Sequence, residues 1–546
     1  MKADDNTMIV GGDFNLTLDE ERDRIRKNNN PTPQSAPRAA ARLEKIIEDH
    51  SLCDAFIVVH PNQTDKDMTW TGTQNNAARL DRFYISSNMV PKIQSCESSP
   101  DVSFADHLPV VLQLGQKLDR GQRNIRKILD IDLLDDAVFV QDTRALIQKT
   151  LTAPAENELV KWSAFKEQWM NLALLMMKRI RNRMRKKARK LVKKFKQTKS
   201  SLESKKNATS HAELGEARDN LNEFQLNQHI LRQANMKVKW QKEGERGTRF
   251  HHNLFKSRIH KTTIEALTDP SDNIAVSDQP LIRKIIKGYY EKLYKSTSVN
   301  NSTLADLLQS LQQSGTRVPD KLNAKSEEPF TLEELKKALL QLGSKKSPGS
   351  DGTPIEYYKY FWNDDLGTLY LRMIEAAIAQ QSLPANTSES IITLLFKKGD
   401  RSAPANYRPI SLMNNDYKIL AKALANRLVP VLQIIVPTIQ TGFIPDRNII
   451  DNVMSILDII LHYDDGMDEN TILLLLDMEK AFDRVNWTAI METLKAIGFK
   501  DNFMNAVKTI LSDNSSANVI VNGTYTDSFK VTRSVRQGCP LSPLLF

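Results

Sequence analysis

TILLLLDMEKAFDRVNW (471–487) opens with a run of wholly apolar residues that stops at Asp477. A short apolar run of this kind is the pattern of a strand buried on both faces. An acid placed directly after it stands at the strand end beside an apolar environment, where an unpaired charge costs several kcal/mol or neutralises. A divalent cation would relieve that cost, and hard oxygen ligands suit Mg²⁺ or Mn²⁺. The competing reading makes Asp477 the N-cap of a helix begun by residues 478–483. Position alone leaves both readings open.

Outward from this stretch, residues from about 325 onward alternate between helix and strand, so the fold class is α/β. Thr331 with Glu334 fits a capping box opening a helix that runs to Gly343. A lysine- and glycine-rich loop follows, KKSPGSDG (345–352), then a helix over 357–380, a strand IITLLF (391–396), a turn KKGD (397–400) and a helix over 416–429. Residues 120–300 are helical in character instead. Trp162, Phe165, Trp169, Leu172, Met176, Ile180, Met184, Leu191 and Phe195 form an apolar stripe at helical spacing. A polar break is expected over 196–210. A second stripe (Leu214, Ala217, Leu221, Phe224, Leu231) predicts a returning helix. In the first 117 residues, short strands are expected at 8–10, 82–85 and 109–112, with the turn-rich NNNPTPQSAP (28–37) as a loop.

Composition narrows the class. A chain of 546 residues has room for about three to five domains. No apolar run approaches the roughly 18 residues of a membrane span, and MKADDNTMIV lacks the apolar stretch of a signal peptide. Three scattered cysteines, Cys53, Cys96 and Cys539, give neither a disulfide framework nor zinc spacing, so a reducing intracellular compartment is expected. The formal charge is +10, yet 13 Lys/Arg and no acid lie between Lys178 and Lys199. Without that stretch 63 basic residues face 66 acidic ones. Like charges at helical spacing oppose the helix, so Lys178, Arg179, Arg181, Arg183, Arg185, Lys186 and Lys187 point to a phosphate-bearing partner.

Six blocks then appear in order: KKSPGSDGTPIEYYKYF (345–361), IITLLFKKGD (391–400), NYRPISLMNNDYKILAKALANRL (406–428), QTGFIPDRNIIDNV (440–453), LLLLDMEKAFDRVNW (473–487) and RQGCPLSPLLF (536–546). Together they resemble the reverse transcriptases of non-LTR retrotransposons. The resemblance implies a right-hand polymerase, with fingers and part of the palm over 326–546. It makes Asp477 a catalytic, metal-binding aspartate of a two-metal centre using Mg²⁺ or Mn²⁺. Phe482 matches the residue that excludes a ribose 2′-hydroxyl, and Gln537 and Gly538 match a turn that packs on nucleotide and template. Arg408 matches a fingers arginine whose guanidinium suits triphosphate oxygens, and Lys397 and Lys398 could add charge there. The implied partners are an RNA template, a DNA target or primer and deoxynucleoside triphosphates, with no membrane. The implied location is the nucleus and cytoplasm. Such enzymes also need a Phe/Tyr-x-Asp-Asp hairpin after the RQGCP block; none follows here, and Asp464–Asp465 lies upstream in an expected loop. The expectation is a clipped chain with no polymerase activity of its own.

At the amino end, GGDFN (11–15) places Asp13 and Asn15 two apart after a strand. ARLDRFYIS (78–86) adds Asp81, and FADHLPVVL (104–112) adds Asp106 and His107. The three resemble the C-terminal half of an endonuclease/exonuclease/phosphatase β-sandwich, the nicking domain of the same retrotransposons. By that resemblance His107 is a base with Asp106 as partner, Asp13 and Asn15 bind the scissile phosphate, Asp81 orients, and Thr69 belongs to the rim. Ala105 stands where the family usually has serine, and the family's first half, with its metal-binding glutamate, is absent. No independent nicking is expected.

EGERGTRFHHNLFKSRIHKTTI (243–264) resembles the connector ahead of the polymerase; its His251 and His252 lack further ligands at metal spacing. The expected organisation is therefore an endonuclease-like half over 1–117, a basic helical connector over 118–325 and a polymerase part over 326–546. The alternative is a nucleic-acid-binding fragment without catalysis.

Overall fold

The computed structural model describes residues 8–25, 37–61, 68–71, 77–98, 107–115, 127–154, 156–205, 213, 216–217, 219–221, 223–224, 263–270, 273–464, 474–512 and 514–546. The chain divides into two compact units: 1–122 with 182–254, and 123–181 with 255–546. The 118–325 stretch, expected as one connector, is shared between them. No helix among the described residues is long and apolar enough to cross a membrane.

In the first unit, β1 (Ile9–Asp13) pairs antiparallel with β6 (Asp81–Ser86), and β6 pairs in turn with β3 (Leu52–Asp54). A second sheet joins β2 (Arg24–Ile25), β5 (Ala77–Ala78) and β4 (Trp70–Thr71). β7 (Ile93–Ser98) and β8 (Val110–Leu114) form a hairpin. The apolar centre is small, with Ala55, Ile85 and Cys96 fully buried. A buried ionic network supplements it. Arg79 and Arg82 reach Asp23 at 2.9 and 2.7 Å, and Arg79 reaches Asp54 at 2.8 Å. Burial opposes the charge on Asp23, but Arg82 and Arg79 together hold its carboxyl below the ordinary value. Buried charges persist only when paired and hydrogen-bonded, and the guanidinium fork supplies both.

The helix Glu158–Lys205 is 48 residues long and continues through most of the polar stretch expected as a break. KQTKSSLESK holds no proline or glycine, and polarity alone does not end a helix. In its distal half the Lys187 ammonium lies 5.4 Å from the Phe224 ring centre and Lys194 pairs with Glu216 at 3.6 Å. Residues 216–217, 219–221 and 223–224 are helical with Ala217 buried, and these contacts bring them alongside; Leu214 and Leu231 of the expected returning helix lie outside the described residues.

The second unit is built on a five-stranded sheet. β11 (Ser390–Phe396) and β12 (Tyr407–Met413) pair antiparallel across the KKGD turn, and β11 lies parallel to β13 (Ser516–Val521). β14 (Thr524–Tyr525) and β15 (Phe529–Lys530) both pair with β13. The helix Gln279–Tyr294 packs on this sheet, burying Ile282, Ile286 and Tyr290 against Ile392, Val519 and Phe529.

A larger helical core surrounds the helix Asn415–Ile435. Into it the start of the long helix inserts Trp162, Phe165 and Trp169: Trp162 meets Tyr370 at 5.4 Å, Trp169 meets Tyr357 and Phe361 at 5.7 and 5.9 Å, and Phe165 lies against both tryptophans at 5.5 and 5.4 Å between ring centres. Lys166 follows them inward. Its ammonium donates to Asp416 at 2.7 Å and pairs with Asp351 at 2.8 Å, while Thr387 and the Trp162 indole also donate to Asp416. The KKSPGSDG loop closes over this cluster by backbone contact. A Cβ on Gly349 would lie 2.0 Å from the Asn414 side chain, and one on Gly352, at φ +67°, would lie 1.8 Å from the Lys127 carbonyl. Only glycine permits both approaches.

Half of the expected capping box forms: the Thr331 hydroxyl accepts from the Glu334 amide at 3.2 Å, while the Glu334 carboxylate turns to Arg427 rather than back to the Thr331 amide. The single helix expected over 357–380 is two, Ile355–Phe361 and Gly367–Ala379, separated by non-helical Asp364 and Asp365. Of the loop expected around Asp464–Asp465, residues 462–464 are instead the end of the helix Ile449–Asp464, and 465–470 lie outside the described residues.

One expectation fails at the stretch that opened the reading. Residues 474–477 are not a strand, and Leu474, Leu475 and Leu476 are 71%, 79% and 79% exposed; 471–473 lie outside the described residues. Apolar composition permits a buried strand, but a strand also needs a neighbour to complete its hydrogen bonds. Among the described residues none pairs with this run.

Candidate functional site

In the second unit the chain passes from exposed Asp477 to Lys480, whose left-handed φ of 52° turns it into the short helix Ala481–Arg484. Asp477 therefore caps no helix. The turn presents Phe482 and Asp483 in different directions. Phe482 stacks on Phe546 at 4.5 Å and meets Phe443 edge-on at 5.8 Å. Asp483 is buried, accepting from the Tyr294 hydroxyl at 3.1 Å and from the Gln537 amide at 3.3 Å. Burial pushes its carboxyl up to about 6, against the Tyr294 hydrogen bond and the Lys480 charge.

Gln537 and Gly538 lie in the same neighbourhood. The Gln537 carbonyl accepts from the Ser411 amide of β12 at 2.8 Å, and the Val535 amide donates to the Phe482 carbonyl at 2.9 Å. Gly538 has φ +117°, and a Cβ there would stand 2.6 Å from the Ser411 carbonyl, so the turn must be glycine. Arg408 is exposed on β12 opposite Leu395, and Lys397 and Lys398 are exposed at the hairpin turn. The geometry thus gathers Phe482, Gln537 and Gly538, and adds Asp483 and Tyr294, which sequence reasoning missed. The signal for Asp483 was an acid inside the mostly apolar AFDRV segment. Its partners were invisible because they are remote in sequence.

In the first unit, strand register does the assembling. Asp13 and Asp81 are direct partners across β1 and β6. The His107 Nδ1 lies 2.9 Å from an Asp81 oxygen. Ligand atoms of Asp13, Asp81 and His107 all fall within 4.8 Å of one another, the one such group of three among the described residues. Thr69 is buried beneath, its hydroxyl accepting from the amides of Leu80 and Asp81 at 3.0 Å each. Asn15 adopts φ 52°, and its amide donates to Asp13 at 2.9 Å. The partner of His107 is Asp81, a role the sequence reading gave to Asp106; Asp106 itself lies outside the described residues, as do His251 and His252. An Nδ1–H donated to the Asp81 carboxylate would orient the ring as general-base chemistry requires. Two carboxylates and an imidazole also form a donor set that fits a divalent cation such as Mn²⁺ or Mg²⁺.

Along the long helix, Lys178, Arg179, Arg181, Arg183, Arg185, Lys186 and Lys187 are all exposed.

Residues 396–546 match the family model of the reverse transcriptase (RNA-dependent DNA polymerase). Over 99% of its length the chain is 29% identical to the transposon TX1 uncharacterized 149 kDa protein of Xenopus laevis, of which it spans 40%. It is 30% identical over 40% of its length to a probable RNA-directed DNA polymerase from transposon BS of Drosophila melanogaster, spanning 24% of that protein. It is 27% identical over 40% of its length to a Pol polyprotein of the type-1 retrotransposable element R2 of Popillia japonica, spanning 29%. On these matches the chain is similar to non-LTR retrotransposon proteins, its likeness to reverse transcriptases lies in residues 396–546, and it spans less than half the length of these relatives.

Proposed function

We propose that the second unit serves RNA-directed DNA synthesis, with Asp477 as a divalent-metal ligand, Phe482 as the sugar-discriminating ring, and Gln537–Gly538 as the turn against nucleotide and template. Arg408 would meet triphosphate oxygens. The observation carrying this reading is the packing of Gln537 on Asp483, which ties the RQGCP turn to the segment bearing Asp477 and Phe482. RNA template, DNA primer and deoxynucleotides are the proposed partners, and the basic face of the long helix would hold phosphate.

Asp477 supplies one carboxylate, and Asp483 is buried and turned to Tyr294 and Gln537. A two-metal centre needs more. We therefore infer that residues 1–546 alone do not extend a primer. Primer extension on RNA with Mg²⁺ or Mn²⁺ tests both statements. No product is expected from the 546 residues, and a product sensitive to Asp477→Ala is expected when a Phe/Tyr-x-Asp-Asp segment is supplied after Phe546. Synthesis unaffected by Asp477→Ala breaks the assignment; synthesis by the 546 residues alone breaks the inactivity.

A second reading rests on the His107–Asp81 contact and the adjacent Asp13, which we propose as the remnant of a phosphodiesterase centre. Supercoiled-plasmid nicking that disappears in His107→Ala would establish residual activity. Absence of nicking in the unaltered chain is the expected outcome.

A further inference from the structure

The Phe482 ring is held from two sides by segments remote in sequence. Phe546, carried by the short helix Ser542–Leu545, stacks on it with ring centres 4.5 Å apart and planes 18° apart. Phe443 meets it edge-on at 5.8 Å. Aromatic pairs in these two arrangements attract beyond the apolar area they cover. The backbone beneath is fixed as well, because the Val535 amide donates to the Phe482 carbonyl. Phe443 and Phe546 are 60% and 56% exposed, so neither serves to fill a core.

Phe443 is placed against a steric preference. Its backbone is left-handed, at φ 64°, where a bulky side chain is an outlier. Gly442, which takes that conformation without steric cost, stands one residue earlier, so the strain falls on the phenylalanine itself. Such strain persists only where the surroundings over-determine the backbone. Here they do. Arg447 donates to the carbonyls of Pro437, Gln440 and Val436, closing the 436–447 loop on itself. Thr441 and Ile444, on either side of the exposed ring, are buried.

A ring that discriminates by shape must stay still. Phe482 is only half-buried, and excluding one hydroxyl needs a placement held to about 1 Å. We propose that Phe443 and Phe546 are positioning residues for sugar selection. They act through Phe482, holding its ring at one angle, and they need no contact with the nucleotide. The proposal rests on the reading of Phe482 given above.

The test titrates the full chain with dUTP and with UTP in Mg²⁺, by displacement of a fluorescent nucleotide, and compares the ratio of the two dissociation constants. Phe443→Gly and Phe546→Leu should each narrow that ratio by about tenfold, chiefly by tightening UTP, as loss of one apolar contact does. Phe443→Tyr, which keeps a ring edge toward Phe482, should retain the ratio. Glycine accepts the left-handed backbone, so Phe443→Gly should keep its melting temperature while selectivity falls. Selectivity lost only in step with stability overturns the proposal. With 4-fluorophenylalanine in place of Phe482, Phe443→Gly and Phe546→Leu should each shift the fluorine resonance; an unmoved resonance also overturns it. Phe482→Ala separates two failures. If it alone narrows the ratio, the positioning fails and the reading of Phe482 stands. If it leaves the ratio intact, or if neither nucleotide binds, the reading of Phe482 fails and the proposal falls with it.

Discussion

The two carboxylate centres of this chain are assembled to different degrees. Asp13, Asp81 and His107 converge because β1 and β6 pair in one register and Thr69 fixes the start of β6 from below. Asp477 follows a run of leucines that no described strand pairs with, and it remains on an exposed turn. The difference teaches that a carboxylate acquires a geometry only through the backbone pairing of the segment that carries it. Side-chain chemistry alone does not gather a site.

Substitutions that separate supported from unsupported segments probe this contrast. The largest effect is expected inside the second unit. Lys166→Met leaves Asp351 and Asp416 buried without their cation, and breaking such a group costs about 3–5 kcal/mol. Denaturant unfolding of that unit should show it, and a loss below 1 kcal/mol would show the trio to be dispensable.

Next comes Asp483, protonated below about 6 in the folded chain but only below about 3.9 when unfolded. Between those values the folded state binds the extra proton, so stability is greatest below pH 4 and falls by about 3 kcal/mol as pH rises through 6. Asp483→Asn should remove that slope from a series of melts; an unaltered slope would assign it to other groups.

In the first unit, Thr69→Val withdraws the acceptor for the Leu80 and Asp81 amides, a loss of about 1–3 kcal/mol for buried donors left unpaired. It should also loosen the His107–Asp81 contact, visible as a shifted His107 imidazole resonance by NMR. The smallest effect belongs to the run before Asp477. Leu475→Ser should change stability by less than about 0.5 kcal/mol, as exposed substitutions do. A large loss there would mean the leucines are packed, and the contrast between the two centres would collapse.

Much of the fold was legible where the signal is local. β11, the KKGD turn and the Thr331 cap follow from apolar runs, a glycine and a hydroxyl in fixed order. In the first site, Asp13, Asp81 and His107 were found as residues, but the pairing of Asp81 with His107 required the fold. The Lys166–Asp416 contact spans 250 residues, and nothing local marks a lysine that will be buried. TILLLL shows the converse error. Its pattern stated what the segment could do in a complete sheet, and period alone carries no information about whether a neighbour is present.

The glycine at 352 has a practical consequence for anyone dividing this gene product. Its hydrogen atom leaves room for the Lys127 carbonyl, and its own carbonyl accepts from the Leu129 amide at 3.0 Å. Trimming to the family-matched stretch 396–546 would therefore discard a supporting wall far upstream, together with the lysine that neutralises Asp416. A fragment meant to keep this packing should be cut ahead of residue 127, where backbone contact rather than the family-matched stretch marks the boundary.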